Sequence, residues 1–365
     1  MAAKITELSA SEKKVYDRQL RVWGVDTQLR LSNASLLLVN ATSLLAAETA
    51  KNLVLAGVGS LTVVDNTPLS SPTRPASNTN NYLVNAASSS SDSHETYGSA
   101  LAASLQELNP LVRVHHVCTS ASSLSADTLA GATLVAAFGL STADFDSISR
   151  LCRAQSKPYY LGASAGGYAF WFSDLGDEVQ YEGDGKEAGR MLSKRFVSLK
   201  DALAADWASM PRRMTKGYAL LRAVWTTAPE LFSTGVVPDV QGVLHALASQ
   251  PCKETLKSSA ENVRAWLNDE VAPFAPECED IAICSVVGGV LANEVLKSIS
   301  RKGEPAGNFF FYGQDLVASQ GAVEKAYSSS NNPYYLGASA GGYAFWFSDV
   351  GDEVQYEGDG KQADW

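Results

Sequence analysis

Ser35-Leu36-Leu37-Leu38-Val39-Asn40-Ala41-Thr42-Ser43 opens on a short continuous apolar run, the mark of a strand buried on both faces, and closes on residues suited to capping a helix. Thr42 or Ser43 can cap the helix that follows, where Leu45, Thr49, Asn52, Leu53 and Ala56 fall near helical spacing before Gly57 ends it. A second apolar run, Ser60–Val64, ends in Asp65. Strand, helix and strand in that order make a βαβ unit, and such units feed a parallel, doubly wound, Rossmann-like α/β sheet.

Downstream the alternation continues. The pattern predicts a helix over 99–108, strands over 111–117 and 133–138, and a helix over 143–155. Two strands, at 159–161 and 168–172, are predicted around a small-residue turn through Gly162, Gly166 and Gly167. Helices follow at 198–207, 216–225, 241–248 and 285–300, then a strand at 308–312 that returns the chain to the first sheet. Residues 66–93 are dominated by Ser, Asn, Thr and Pro and read as a mobile surface loop. Segment 158–188 recurs at 333–363 with two differences, Leu175 against Val350 and Glu187 against Gln362. Two near-identical copies set far apart suit a recent duplication or a gene-model error better than a stack of repeats, and only the first falls within the alternating pattern.

Composition narrows the function. With 45% apolar and 19% charged residues in 365, the chain has the makeup of an ordinary globular protein with room for a sizeable core. A net charge of −10 argues against a general nucleic-acid binder, which needs a basic face. The longest apolar stretch, 281–292, is broken by Ser285 and Gly288-Gly289, so no membrane span is expected, and residues 1–14 lack a hydrophobic signal core. Five scattered cysteines, Cys118, Cys152, Cys252, Cys278 and Cys284, suit reduced thiols in an intracellular protein; without a Cys-x-x-Cys pair no metal site is expected.

A nucleotide-binding βαβ unit sets glycines between its first strand and helix, so that backbone approaches the phosphates and the helix N-terminus faces the anion. Here the turn runs Asn40-Ala41-Thr42-Ser43-Leu44-Leu45 without a glycine, and Leu44 and Leu45 are expected to add bulk where a phosphate needs room. Asp65 stands where a ribose-binding acid usually sits, yet without the glycine turn it reads better as a strand-end cap. Ahead of the first strand lies Tyr16-Asp17-Arg18-Gln19-Leu20-Arg21-Val22-Trp23-Gly24, which places Tyr16, Leu20 and Trp23 for packing while Arg18 and Arg21 project elsewhere. Arginine is the side chain suited to phosphate, since its rigid fork stays charged and binds oxygens bidentately.

That block resembles the opening motif of the ubiquitin-like-protein activating enzymes, the ThiF-like adenylation family, in which two related folds pair and one has lost its own active site. Ala50-Lys51-Asn52-Leu53-Val54-Leu55-Ala56-Gly57-Val58-Gly59, Leu105-Gln106-Glu107-Leu108-Asn109-Pro110 and Ala204-Ala205-Asp206-Trp207 match further. So do Cys284-Ser285-Val286-Val287-Gly288-Gly289-Val290-Leu291-Ala292-Asn293-Glu294-Val295 and Asn308-Phe309-Phe310-Phe311-Tyr312-Gly313.

The resemblance implies a ThiF-type, mostly parallel sheet over residues 1–314 with a helical insertion at about 189–275, and a C-terminal extension at 315–365. In length and closing segments the chain looks most like the smaller, non-catalytic subunits that serve SUMO. Regulatory subunits for the cullin modifier share the Asn-Ala-Thr turn but are longer, and a homodimeric sulfur-carrier-type adenylyltransferase is a more distant alternative. By the same resemblance a partner chain carries the catalytic cysteine, the zinc-binding cysteines, ATP and magnesium, while this chain binds no cofactor of its own. Arg18 then matches the arginine that acts in trans on the partner's ATP, Arg21 is structural, and the complex is expected to handle a SUMO-type modifier in the nucleus, with the cytoplasm as a second location. Active members carry a second acid and an arginine after the second strand; 65–68 and 78–82 lack them, as expected of an inactive subunit.

Overall fold

A computed structural model describes residues 5–71, 81–84, 96–166, 168–205, 215–234, 239–248, 279–313, 319–320, 335–340 and 343–348. Helix α1 (Ala10–Val15) and the kinked α2 (Asp17–Ser32) lead into β1 (Ser35–Val39), α3 (Leu44–Leu55) and β2 (Ser60–Val64). Then come α4 (Tyr97–Leu108), β3 (Arg113–Val117), α5 (Ala126–Ala130), β4 (Leu134–Phe138), α6 (Thr142–Ala154) and β5 (Tyr159–Ala165). These five strands are parallel in the order β3-β2-β1-β4-β5, the doubly wound arrangement that the βαβ reading requires.

The sheet then reverses. β6 (Tyr168–Asp174) runs antiparallel to β5, and a small hairpin of β7 (Val179–Glu182) and β8 (Met191–Lys194) follows. After α7 (Leu199–Leu203), α8 (Thr215–Thr227), α9 (Leu231–Thr234), α10 (Val240–Ala248) and α11 (Ile281–Ser300), strand β9 (Phe309–Gly313) pairs antiparallel with β6. β10 (Ser319–Gln320), antiparallel to β9, completes an eight-stranded sheet among the described residues.

Period-two alternation divides the core between the two faces of this sheet. Leu37, Val39, Val135, Ala137, Tyr159, Leu161, Phe170, Phe172, Phe309 and Phe311 face the layer built with α6 and α8. Their neighbours Leu36, Leu38, Leu134, Ala136, Tyr160, Trp171 and Phe310 face α3, α4 and α11. Helix α11 is long and apolar enough to cross a membrane by length and composition. Its Cys284, Val287, Leu291 and Val295 are buried in the second layer instead, and it lies so close to α3 that a Cβ on Gly288 would stand 2.9 Å from Cβ of Glu48.

Several boundaries move. β5 runs through Ala165, so Gly162 is a strand residue rather than part of the turn; a Cβ there would meet the Phe138 ring at 3.1 Å. Helix α11 starts at Ile281 because Asp280 caps it, accepting from the amides of Ala282 and Ile283. The β7–β8 hairpin was not expected, although Val179 and Tyr181 alternate with polar residues, because its strands are four residues long. The loop expected at 66–93 and the insertion expected at 189–275 lie partly outside the described residues. The second copy of the repeat forms β11 (Tyr335–Ala340) and β12 (Tyr343–Ser348), a separate two-stranded sheet. Its register is that of the first copy: Tyr335 pairs with Ser348 as Tyr160 pairs with Ser173.

Candidate functional site

In doubly wound sheets ligands bind beyond the C-terminal ends of the strands where the strand order reverses, which here is the gap between β1 and β4. Asn40 forms the turn out of β1 in the left-handed region, with φ at 73°, a conformation asparagine tolerates better than other non-glycine residues. Its amide donates to the carbonyls of Phe138 and Gly139 at 2.8 and 3.0 Å, and its carbonyl oxygen accepts from the Thr42 amide and hydroxyl at 3.0 and 2.6 Å. The turn is thus built without glycine and tied to the end of β4.

Ser43 caps α3, and the N-terminus of this helix already holds an anion. The Glu279 carboxylate accepts from the Leu44 amide at 2.5 Å, from the Ser43 hydroxyl at 2.8 Å and from the Ser164 hydroxyl at 3.0 Å. Glu279 is 6% exposed. Ser164, committed as donor to Glu279, accepts in turn from the Cys284 thiol, 3.2 Å away. Burial first, and the negative charge of Glu279 second, push that thiol well above its usual range. The N–H and hydroxyl donors that a phosphate would use are therefore engaged by a side chain, and the turn does not fit a nucleotide phosphate.

This corrects the reason expected from sequence. Leu44 and Leu45 are wholly buried, but in the hydrophobic layer between α3 and the sheet; the group seated at the helix N-terminus is Glu279. Sequence reasoning missed it because 236 residues separate Ser43 from Glu279, and an acid beside the cap Asp280 reads as an ordinary helix start.

Asp65 is a strand-end cap. Its carboxylate accepts from the Thr67 amide and hydroxyl at 3.2 and 2.8 Å and from the Gly98 amide at 3.0 Å, at the first turn of α4. Burial raises its pKa, against the lowering effect of these bonds. Among the described residues no cluster of three His, Cys, Asp or Glu could hold a metal.

Arg18 lies at the opposite end of α3. The first part of α2 ends at Gly24, where φ of 83° and ψ of 167° break the helix. Tyr16, Leu20 and Trp23 pack as expected: Tyr16 is 2% exposed, and Leu20 and Trp23 are half-buried. The Tyr16 hydroxyl accepts from Asn109 at 2.9 Å, and its ring fills the space beside Gly57, where a Cβ would stand 2.5 Å from Cζ. Gln19 and Gln28 donate to the carbonyls of Leu55 and Ala56 at 3.1 and 3.0 Å, satisfying the C-terminus of α3. Arg21 pairs with Asp17 at 2.8 Å on the surface. Arg18 is exposed and has no ion pair among the described residues, and Val22, one turn on, is 80% exposed, with Val15, Val25 and Leu55 also exposed nearby.

The ThiF family profile matches residues 16–333. The chain is 30% identical over 352 residues to SUMO-activating enzyme subunit 1 of Danio rerio, covering 87% of this chain and 96% of that protein. It is 31% identical over 322 residues to SUMO-activating enzyme subunit 1A of Arabidopsis thaliana, covering 85% and 94%. Against SUMO-activating enzyme subunit 1 of Xenopus tropicalis the identity is 29% over 354 residues, covering 87% and 96%. The α/β alternation, the parallel β3-β2-β1-β4-β5 order and this match over most of the length agree: the chain belongs to the ThiF family.

Proposed function

We propose that this chain is the non-catalytic subunit of a heterodimeric activating enzyme for a SUMO-type modifier, and that Arg18 reaches ATP held by its partner subunit. The observation that carries the reading is a pairing. A phosphate-suited arginine stands exposed, with no ion pair among the described residues, beside exposed valines, while the chain's own phosphate turn is filled by Glu279. Val22, four residues on from Arg18 and 80% exposed, puts an apolar side chain on the same helix face as the guanidinium. Relatives named as subunit 1 of SUMO-activating enzymes, matched over nearly their whole length, favour SUMO over the cullin modifier and over the sulfur-carrier type.

In this reading the partner holds ATP and magnesium and contributes the cysteine that captures the modifier as a thioester after its C-terminal glycine is adenylated. This chain binds neither nucleotide nor metal. Tyr16 and Gly57 fix the helix that carries Arg18, and the exposed apolar side chains around it become buried at an interface of the obligate class, on the order of 2,000 Å² or more. The Arg18 guanidinium offsets the charge on a phosphate undergoing displacement.

In the reconstituted heterodimer, Arg18→Ala is expected to leave assembly intact and to slow ATP–pyrophosphate exchange by about ten- to a hundredfold, the worth of one charge-assisted contact. Arg18→Lys, which keeps the charge but not the fork, should fall between. An unchanged exchange rate would retire the role of Arg18. If no catalytic-cysteine subunit copurifies with the chain from native lysate, the subunit reading itself fails.

A further inference from the structure

We propose that Glu279 is an internal plug: a carboxylate that occupies the position of a phosphate in the turn between β1 and α3 and keeps that turn closed to phosphoryl anions. Three donors from two separate parts of the chain converge on it, the Leu44 amide, the Ser43 hydroxyl and the Ser164 hydroxyl. They form a cradle of the kind that binds oxyanions, since α3 is a twelve-residue helix whose aligned peptide dipoles favour negative charge at this end.

The plug is held from outside the turn. Residue 279 makes a parallel bridge with Gly166 at the end of β5, and the Asp280 cap of α11 follows at once. Its carboxylate is therefore placed by the junction of β5 and α11, not by the loop it fills. A cradle whose occupant, among the described residues, is a side chain anchored elsewhere keeps its own donors when that side chain is cut back. Ser43 stays at the N-cap, accepting from the Ala46 amide, and Asn40 still fixes the turn through Phe138 and Gly139. What is lost on truncation is the anion, and a diffusible anion of similar charge can replace it. The inference concerns this chain alone and stands or falls apart from the role of Arg18.

Full-length wild type, Glu279→Ala and Glu279→Gln are compared by thermal unfolding against increasing inorganic phosphate and pyrophosphate, with sodium chloride at matched ionic strength as control. Glu279→Ala is expected to melt lower than wild type without phosphate and to recover saturably as phosphate is added. Wild type shows no rise beyond the chloride control. In ¹⁵N-leucine-labelled Glu279→Ala the Leu44 amide resonance shifts along the same titration, and Ser43→Ala in that background weakens the response. A folded Glu279→Ala with no phosphate-specific rise overturns the proposal, as does a wild type that responds equally. Should Glu279→Ala not fold, Glu279→Gln, which keeps the size and one acceptor oxygen, is expected to show a smaller phosphate-specific rise, and its absence there overturns the proposal too.

Discussion

Arg18 and Glu279 lie at opposite ends of α3, and their legibility differs for a physical reason. Arg18 sits in a contiguous block whose charges and aromatics are read together, so its exposure and the burial of Tyr16 follow from spacing. Glu279 acquires meaning only when the fold brings it to Ser43 across 236 residues. Asn40 is an intermediate case: the missing glycine was visible, but the left-handed asparagine that replaces it was not. Cys152 shows the same limit in its chemistry. Buried on α6 with the Asp174 charge near, its thiol is pushed up from 9.0 to about 12, burial being the larger cause. A thiol whose pKa is raised in the folded chain binds its proton more tightly there, so its contribution to stability is complete below pH 9 and is lost as pH rises towards 12. Urea unfolding of wild type and Cys152→Ala across that range should show wild type losing stability faster with pH; parallel curves would contradict the assignment.

Among the elements, parallel strands were the most legible, because burial on both faces leaves continuous apolar runs such as Leu36 to Val39. β5 was underestimated, since Gly162, Ala163, Ser164 and Ala165 look like a turn; they are small because the Phe138 ring and the Ser164–Glu279 contact leave little room. The pairing of α3 with α11 rests on a similar economy of size. A side chain at Gly288 would meet Glu48 at 2.9 Å and the Thr49 amide nitrogen at 3.1 Å, and backbone cannot rotate aside. Gly288→Val is expected to push the helices apart and destabilise the chain by about 1–3 kcal/mol, as overpacking does elsewhere. The shift appears in the urea midpoint. A midpoint equal to that of wild type would mean that the contact relaxes freely.

For the whole molecule, the βαβ unit predicted a doubly wound sheet and the closing strand 308–312 its return, both of which the eight-stranded order contains. Sequence could not place β9 beside β6, because antiparallel pairing between strands so far apart follows from packing of Phe309, Phe310 and Phe311 on Phe172, Trp171 and Phe170. Removing residues 321–365 keeps all eight strands and is expected to leave the melting temperature unchanged; a clear fall would show that the second hairpin supports the sheet. That hairpin matters in another way. Both copies offer the same strands in the same register, so the slot between β4 and β9 has little chemical basis for preferring one. On a ribosome adding about 5–20 residues per second, the first copy emerges roughly 10–35 s before the second, a long lead beside the microseconds a hairpin needs. Order of birth can thus choose the occupant where composition does not, and a chain refolded whole from urea, having lost that lead, faces a contest between twins that the shortened chain is spared.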